Sequence, residues 1–164
     1  MILENGEKLL SIKLKKSMIK IDSESIMKLI PHRDPFLFID NVEIMEIGSK
    51  GRGYKKFLKT EFFFKGHFPN MPIVPGVVLI EALAQTAGIV VSHEFKNNKN
   101  KSVLFMSVSK AKFRSPVKPN DIIMFDVFLL NKIRSVYKFQ GTALNQNNIK
   151  VCESEFTAMI TIDS

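Results

Sequence analysis

The chain has 164 residues, of which 45% are hydrophobic, so its length and composition allow one domain with a core of its own. Its single cysteine, Cys152, excludes an intramolecular disulfide and a cysteine-based metal cluster. A formal charge of +8 favours an acidic partner, whether nucleic acid, anionic lipid or an acidic protein, but the sign alone does not choose among them.

The longest apolar run, Val77 to Val91, is shorter than a membrane span and contains Glu81, Gln85 and Thr86. We find no apolar signal region at the N-terminus. These features predict a protein that stays in the cytoplasm.

Residues 1–21 mix Lys, Glu and Leu without a sustained period, which predicts a loosely ordered N-terminal arm or a short edge element. A single domain is expected over 22–164. Asp22 or Ser23 can cap a short helix through Leu29, and Pro31 ends that helix because the residue before a proline disfavours helical angles.

A hairpin is predicted next, with strands over Phe36–Ile47 and up to Thr60 around a turn at Gly48–Gly53. Residues Lys65–Gly76 hold three prolines and two glycines, so we expect an ordered loop there. Val77–Phe95 has no proline and is apolar on nearly every face, which predicts a long buried helix.

The rest of the chain alternates β-rich runs with Pro, Gly and Asn turns. Strands are predicted at Val103–Ser109, Lys112–Ser115, Ile122–Leu130, Ser135–Leu144 and Ile149–Ile162. The expected fold class is therefore α+β, with a curled antiparallel sheet of about six or seven strands wrapped around a central helix.

Glu81 is the only charged residue between Val77 and Ser92. A carboxylate in apolar surroundings is costly, so it protonates or finds a partner. With a raised pKa it would serve as a general acid at neutral pH. The alternative is a glutamate at the solvent edge of the helix or paired with a lysine.

His67 lies between Gly66 and Pro69, where a constrained backbone can hold its imidazole in one orientation for proton transfer. Alternatively, this histidine is satisfied by backbone groups. His32 and His93 are weaker candidates, and His93 fits an interaction with the dipole at the helix C-terminus.

Pro75 and Gly76 precede the long helix, so the free N–H groups of its first turn can stabilise negative charge on a carbonyl oxygen. Glu81 lies about 9 Å further along the helix axis, within reach of the same substrate. A plain helix start is the alternative. Residues 96–118 carry seven Lys or Arg and no acid, which indicates either a docking patch or a solvated loop.

The segment GHFPNMPIVPGVVLIEALAQ, residues 66–85, closely resembles the signature of 3-hydroxyacyl-(acyl carrier protein) dehydratases of the FabZ type. The resemblance extends to PHRDPFLFID at 31–40 and FMSVSKAKFRSPVKPND at 105–121. It implies a hotdog fold, dimers that assemble into homohexamers, no cofactor or metal, and a role in fatty acid and lipid A biosynthesis. Asp34, where the family commonly has an aromatic residue, and the N-terminal arm depart from the pattern.

Carried over residue by residue, the resemblance makes His67 and Glu81 catalytic, with the two meeting across a dimer interface. It gives Gly76 the amide that polarises the thioester carbonyl, and Val77 a carbonyl that orients the histidine. His67 would remove the C2 proton while Glu81, directly or through water, protonates the C3 hydroxyl. Alternatively, His67 performs both transfers.

The resemblance also implies acyl carrier protein as the partner that delivers the substrate. Its acidic surface would suit four cations, Lys110, Lys112, Arg114 and Lys118. Phe105 or Phe113 would line an acyl tunnel. Rival hypotheses are a hotdog thioesterase, an enoyl-CoA hydratase and a nucleic-acid-binding module.

Overall fold

The structure is a computed structural model that describes residues 18–95 and 101–162. Its helices are α1, Ser23–Leu29, and α2, Gly76–Ser92, with 3-10 turns at Phe62–Lys65 and His93–Phe95. The strands are β1 (Ile19–Ile21), β2 (Asn41–Glu46), β3 (Lys50–Lys56), β4 (Lys101–Phe113), β5 (Ile122–Ile133), β6 (Val136–Asn145) and β7 (Lys150–Ile162).

The seven described strands form one antiparallel sheet in the order β1-β2-β3-β5-β6-β7-β4. Helix α2 packs on this sheet, and 14 of its 17 residues are buried. This arrangement confirms the predicted α+β class. The sheet has seven described strands, where six or seven were predicted. The 20-residue segment Gly76–Phe95 is long and apolar enough to span a membrane, but 78% of its most apolar window is buried within the protein, as expected for a core helix.

The short helix is confirmed with the predicted boundaries. Asp22 caps it, since its side chain accepts a hydrogen bond from the Ser25 N–H at 2.8 Å. Strand β1 pairs Ile19 with Ile44 of β2 at the sheet edge, so the end of the predicted arm forms the short edge element. Residues 1–17 lie outside the described part of the chain.

The predicted turn at Gly48–Gly53 is too long, because β3 already begins at Lys50. The two glycines of β3, Gly51 and Gly53, face α2 and do not belong to the turn. A Cβ at Gly51 would lie 2.5 Å from Cγ2 of Val90, and one at Gly53 would collide with Thr86. The helix therefore approaches the sheet where side chains are missing.

The two strands predicted at Val103–Ser109 and Lys112–Ser115 are one strand, β4. Its pairing with β7 shifts register between Ser109 and Lys112, and Lys110 adopts a positive φ of 51°. This irregularity produced the apparent break in the pattern. Strand β4 lies at the edge of the sheet within the described residues.

Candidate active site

His67 is held by the loop between the first 3-10 turn and α2. Its N–H donates to the Phe63 carbonyl at 2.9 Å, and its ring stacks on Phe68 with 4.2 Å between ring centroids. The loop then doubles back, so that the Ile73 N–H donates to the His67 carbonyl at 2.9 Å and Nδ1 of His67 lies 2.9 Å from the Ile73 carbonyl oxygen.

The contact between His67 and Ile73 fixes the chemistry of the imidazole. A carbonyl oxygen only accepts, so Nδ1 carries the proton and Nε2 of the neutral ring keeps a free lone pair. The expected orienting carbonyl was that of Val77. Within this chain the doubled-back loop brings the Ile73 carbonyl to Nδ1. The role expected for Val77 stays a prediction.

A cavity of about 450 Å³ opens beside this ring. The residues that line it include three predicted site residues, His67, Gly76 and Val77, together with Phe113 and Arg114. Its other walls are mainly apolar and come from Ile73, Val74, Leu79, Ser115, Pro116 and Val117. The cavity therefore joins a basic nitrogen to the start of the long helix.

Helix α2 begins without a side-chain cap, because its N-cap residue is Pro75. The N–H groups of Gly76 and Val77 consequently have no partner inside the helix and are available to an oxygen atom in the cavity. The ring of Phe113 lies against Gly76, where an added Cβ would lie 2.6 Å from its Cε1. Only glycine allows this close approach.

Glu81 lies partly buried on α2, and 18% of its side chain is exposed. Its Oε1 accepts from Nε2 of Gln85 at 3.0 Å and lies 3.2 Å from Nε2 of His32. Gln85 also bonds to the Phe36 carbonyl and the Phe38 N–H, both at 2.9 Å. One amide thereby ties the carboxylate to the loop that follows α1.

Burial raises the pKa of Glu81, but hydrogen bonds from His32 and Gln85 and the charge of His32 outweigh it, so the pKa lies below its ordinary value. The expected raised pKa is therefore wrong for the single chain. The reason is that Oε1 has two hydrogen-bond partners, His32 and Gln85, and both stabilise the ionised form. Within one chain, these contacts favour the ionised carboxylate of Glu81.

Within one chain, His67 and Glu81 face different cavities. Glu81 and His32 line a space of about 20 Å³ whose other walls are Ala84, Gln85, Val103, Phe105 and Ala158. Phe113 and Phe105, the two predicted tunnel residues, line the His67 and the Glu81 cavity respectively.

The predicted docking cations are not equivalent. Lys110 pairs with Glu155 at 2.6 Å, and Arg114 pairs with Glu153. Strand β7 supplies both acids, so the acid-free basic stretch of the sequence becomes a surface of mixed charge. Lys112 and Lys118 are exposed and have no ion pair within 18–95 and 101–162.

Two residues of this network were missed or ranked low by the sequence. Gln85 could have been found, because it is four residues beyond Glu81 and therefore its neighbour on the helix surface. His32 lies 49 residues from Glu81 along the chain, and only the folded loop brings them together.

The FabA-like domain family matches residues 30–155, which include every residue of both cavities except Ala158. The class of protein is thus a FabA-like domain. The chain is also 44% identical over 141 residues to the 3-hydroxyacyl-(acyl-carrier-protein) dehydratase FabZ of Granulibacter bethesdensis, covering 85% of this chain and 82% of that protein. The chain belongs to the FabZ family.

Solved structures show the hotdog fold. The dehydratase heterocomplex ApeI:P from Xenorhabdus doucetiae superposes with a TM-score of 0.66 at 12% identity, covering 82% of this chain and 89% of that one. A hypothetical thioesterase from Streptococcus pneumoniae, solved with coenzyme A, gives 0.54 at 14% identity, covering 84% and 91%. The fold is therefore shared by a dehydratase complex and a hypothetical thioesterase, and the fold alone does not choose between these activities.

Proposed function

We propose that this protein dehydrates (3R)-3-hydroxyacyl-acyl carrier protein to the trans-2-enoyl thioester in fatty acid biosynthesis. The observation that carries the proposal is the 2.9 Å contact between Nδ1 of His67 and the Ile73 carbonyl, in a ring that lines the same cavity as the uncapped start of α2. This contact leaves Nε2 as the basic nitrogen of the neutral ring. Removal of a proton next to a thioester carbonyl needs a base at carbon and hydrogen-bond donors at oxygen. This cavity offers both.

In the proposed reaction, Nε2 of His67 takes one proton from C2 while the thioester oxygen accepts hydrogen bonds from the Gly76 and Val77 N–H groups. The C2–H electron pair then forms the C2–C3 double bond as the C3–O bond breaks. The departing hydroxide takes a proton and leaves as water.

Glu81 has two possible roles in this step. As an acid it would give its proton to the hydroxyl group, but the lowered pKa leaves it ionised at neutral pH. We therefore favour the second role, in which the carboxylate accepts a hydrogen bond from the C3 hydroxyl and holds it. His67, protonated at Nε2 by the first step, then supplies the proton that leaves with water.

The proposed site is completed by a second copy of the chain, in which His67 of one subunit faces Glu81 of the other. Two observations support this dimer. The two side chains line different cavities in one chain. Strand β4 also presents an unpaired edge, within the described residues, with the exposed apolar side chains Leu104, Phe105, Met106, Val108 and Phe113. A homohexamer of three dimers in the cytoplasm is the assembly that we propose.

Acyl carrier protein is the proposed carrier, and Lys112 and Lys118 are its best docking candidates because they have no ion pair in the described structure. Charge reversal at both positions should raise KM for a carrier-protein substrate. It should leave KM for the same acyl group on pantetheine unchanged, because pantetheine lacks the acidic surface. An equal effect on both substrates would count against docking here.

The central experiment measures products from 3-hydroxyacyl carrier protein and, in reverse, from the enoyl carrier protein. Reversible formation of the enoyl thioester is expected. Release of free carrier-protein thiol without an enoyl product would instead identify a thioesterase. Turnover of coenzyme A thioesters without turnover of carrier-protein thioesters would identify an enoyl-CoA hydratase.

Subunit mixing tests the shared site. His67→Asn and Glu81→Ala homodimers should each be nearly inactive. After dissociation and reassociation together, mixed dimers should regain activity, because one of their two sites then has both wild-type residues. Failure of mixing to restore activity, with mixed dimers verified by mass, would place each site within one subunit.

A further inference from the structure

The environment of His32 is unusual for a histidine placed only for stability. Its Nε2 lies 3.2 Å from Oε1 of Glu81. Its Nδ1 is buried and has no hydrogen-bond partner within the described residues. Buried polar atoms are normally paired, and an exception in a native fold calls for a reason.

The loop that carries His32 is held by hydrogen bonds both before and after this residue in the chain. Arg33 donates to the carbonyls of Met27 at 2.9 Å, Ile30 at 3.0 Å and His32 itself at 2.7 Å. On the other side, Gln85 ties down the backbone at two further points, Phe36 and Phe38. The imidazole is therefore presented to α2 by a clamped backbone.

Both hydrogen bonds that Glu81 accepts from described residues reach the same oxygen, Oε1. A carboxylate oxygen only accepts, so Nε2 of His32 must carry a proton. The other oxygen, Oε2, is left for a ligand. This division of the two oxygens is what a carboxylate needs if one edge is to be held while the other binds substrate.

We propose that His32 is a positioning residue, whose Nε2–H holds Oε1 of Glu81 so that Oε2 is presented to the 3-hydroxyl group of the substrate. The inference rests on the proposed function for its catalytic meaning. Its structural meaning, a specific hold on the Glu81 carboxylate, can be measured without turnover.

Among the described residues of one chain, the lining of the Glu81 cavity contains His32 as the ionisable partner of Glu81. Helix α2 contributes Ala84 and the neutral amide of Gln85, while β4 and β7 contribute apolar residues, namely Val103, Phe105 and Ala158. The Arg33 guanidinium is directed to backbone carbonyls. Within one chain, loss of the His32 donor therefore leaves burial and Gln85 to set the ionisation of Glu81. In the proposed dimer the His67 side chain of the other subunit also acts on this carboxylate, and it is the same in wild type and in the His32 variants.

A matched pair of amides tests the proposal. His32→Gln can place an N–H where Nε2 was, whereas His32→Asn is shorter and places it at the position of Nδ1. We expect His32→Asn to lower kcat by about 10²-fold, the scale of a misplaced catalytic group, with little change in KM. His32→Gln should retain most of the wild-type kcat, and His93→Gln, at the far end of α2, serves as the histidine control.

A double-mutant cycle separates positioning from a general effect on folding. If His32 acts through Glu81, His32→Asn should cost nothing further in a Glu81→Ala background. If the kcat losses of His32→Asn and Glu81→Ala multiply in the double variant, the proposal is overturned. Wild-type kcat in folded His32→Asn dimers would overturn it as well.

An NMR titration of the Glu81 carboxyl, assigned by comparison with Glu81→Gln, gives a readout that needs no activity. The pKa of Glu81 should rise in His32→Asn and return toward the wild-type value in His32→Gln. An unchanged pKa in both variants would overturn the inference. Absence of dehydratase turnover in the wild type would instead overturn the proposed function and leave this titration as the deciding test of the contact.

Discussion

His67 and Ile73 hold each other through two hydrogen bonds. The Ile73 N–H donates to the His67 carbonyl at 2.9 Å, and Nδ1 of His67 donates to the Ile73 carbonyl at 2.9 Å. The backbone pair fixes the loop, and the ring contact fixes the tautomer. The side chain therefore reaches the cavity with its basic nitrogen already selected.

The first prediction separates the two nitrogens of His67. His67→Asn keeps a side-chain donor near the position of Nδ1 but removes Nε2. The loop should remain folded, and kcat should fall by about 10²–10⁴-fold, the usual worth of a general base. Thermal unfolding and initial rates on 3-hydroxyacyl carrier protein test this. Near-wild-type rates in the folded variant would remove His67 from the mechanism.

The second prediction concerns the space at Gly76. Gly76→Ala pushes a methyl group into Phe113 and toward the proposed oxygen site, so kcat should fall by about 10²-fold through loss of oxyanion contacts. Phe113→Leu makes room for the methyl group without restoring the site. If the double variant Gly76→Ala, Phe113→Leu recovers full activity, the loss came from the aromatic ring and not from the oxygen site.

The third prediction is the pH dependence of the Glu81 contribution to stability. Because its folded-state pKa lies below the ordinary value of 4.5, the ionised carboxylate stabilises the fold above that value. The stabilisation should be lost as the pH falls through the lowered pKa. Urea unfolding of wild type and Glu81→Gln over acid pH measures it as the difference between the two proteins.

The opposite sign of that difference is equally informative. A raised pKa would make the wild type gain stability relative to Glu81→Gln as the pH falls. That outcome would return Glu81 to the role of general acid, which needs a proton on the carboxyl group at neutral pH.

The fourth prediction concerns Gln85, which is 1% exposed and bonds to the loop at Phe36 and Phe38. Gln85→Leu keeps the volume but leaves the buried Phe38 N–H and the partly buried Phe36 carbonyl unpaired. The loss at the Phe38 N–H should cost about 1–3 kcal/mol in unfolding free energy. Gln140→Leu, at an exposed position on β6, is the matched control and should change stability little. Equal effects from both variants would contradict the bridging role.

The fifth prediction is that Cys152 is unreactive in the folded protein. It is fully buried, and burial raises the pKa of its thiol to about 11. Since the thiolate is the reactive form, thiol reagents should label it only as the protein unfolds. Stoichiometric labelling of native protein at neutral pH would show that the β7 core opens readily.

The sequence predicted the central helix and most strands, because their hydrophobic patterns and turn residues are local signals. It misjudged β3 because glycines in a strand resemble a turn until a helix is seen to pack against them. Similarly, the β4 irregularity at Lys110 was taken for the end of a strand.

The site was predictable only in part. His67 and Glu81 stand out by residue type and position, and the structure places His67, Gly76 and Val77 around one cavity. The carbonyl that binds Nδ1 and the histidine that binds Glu81 depend on how two loops close, and residue spacing does not encode that. The lowered pKa of Glu81 results from those contacts, so the direction predicted from the sequence for this pKa shift is wrong within one chain.

The glycines of β3 that face α2 restrict which substitutions this strand tolerates. A methyl group at Gly51 or Gly53 would push α2 away from the sheet, and Thr86, the residue that Gly53 accommodates, directly follows Gln85. Substitutions there would shift the carboxylate of Glu81 from the opposite side of the helix. Inactivating variants are therefore expected at two buried positions between α2 and the sheet, away from His67.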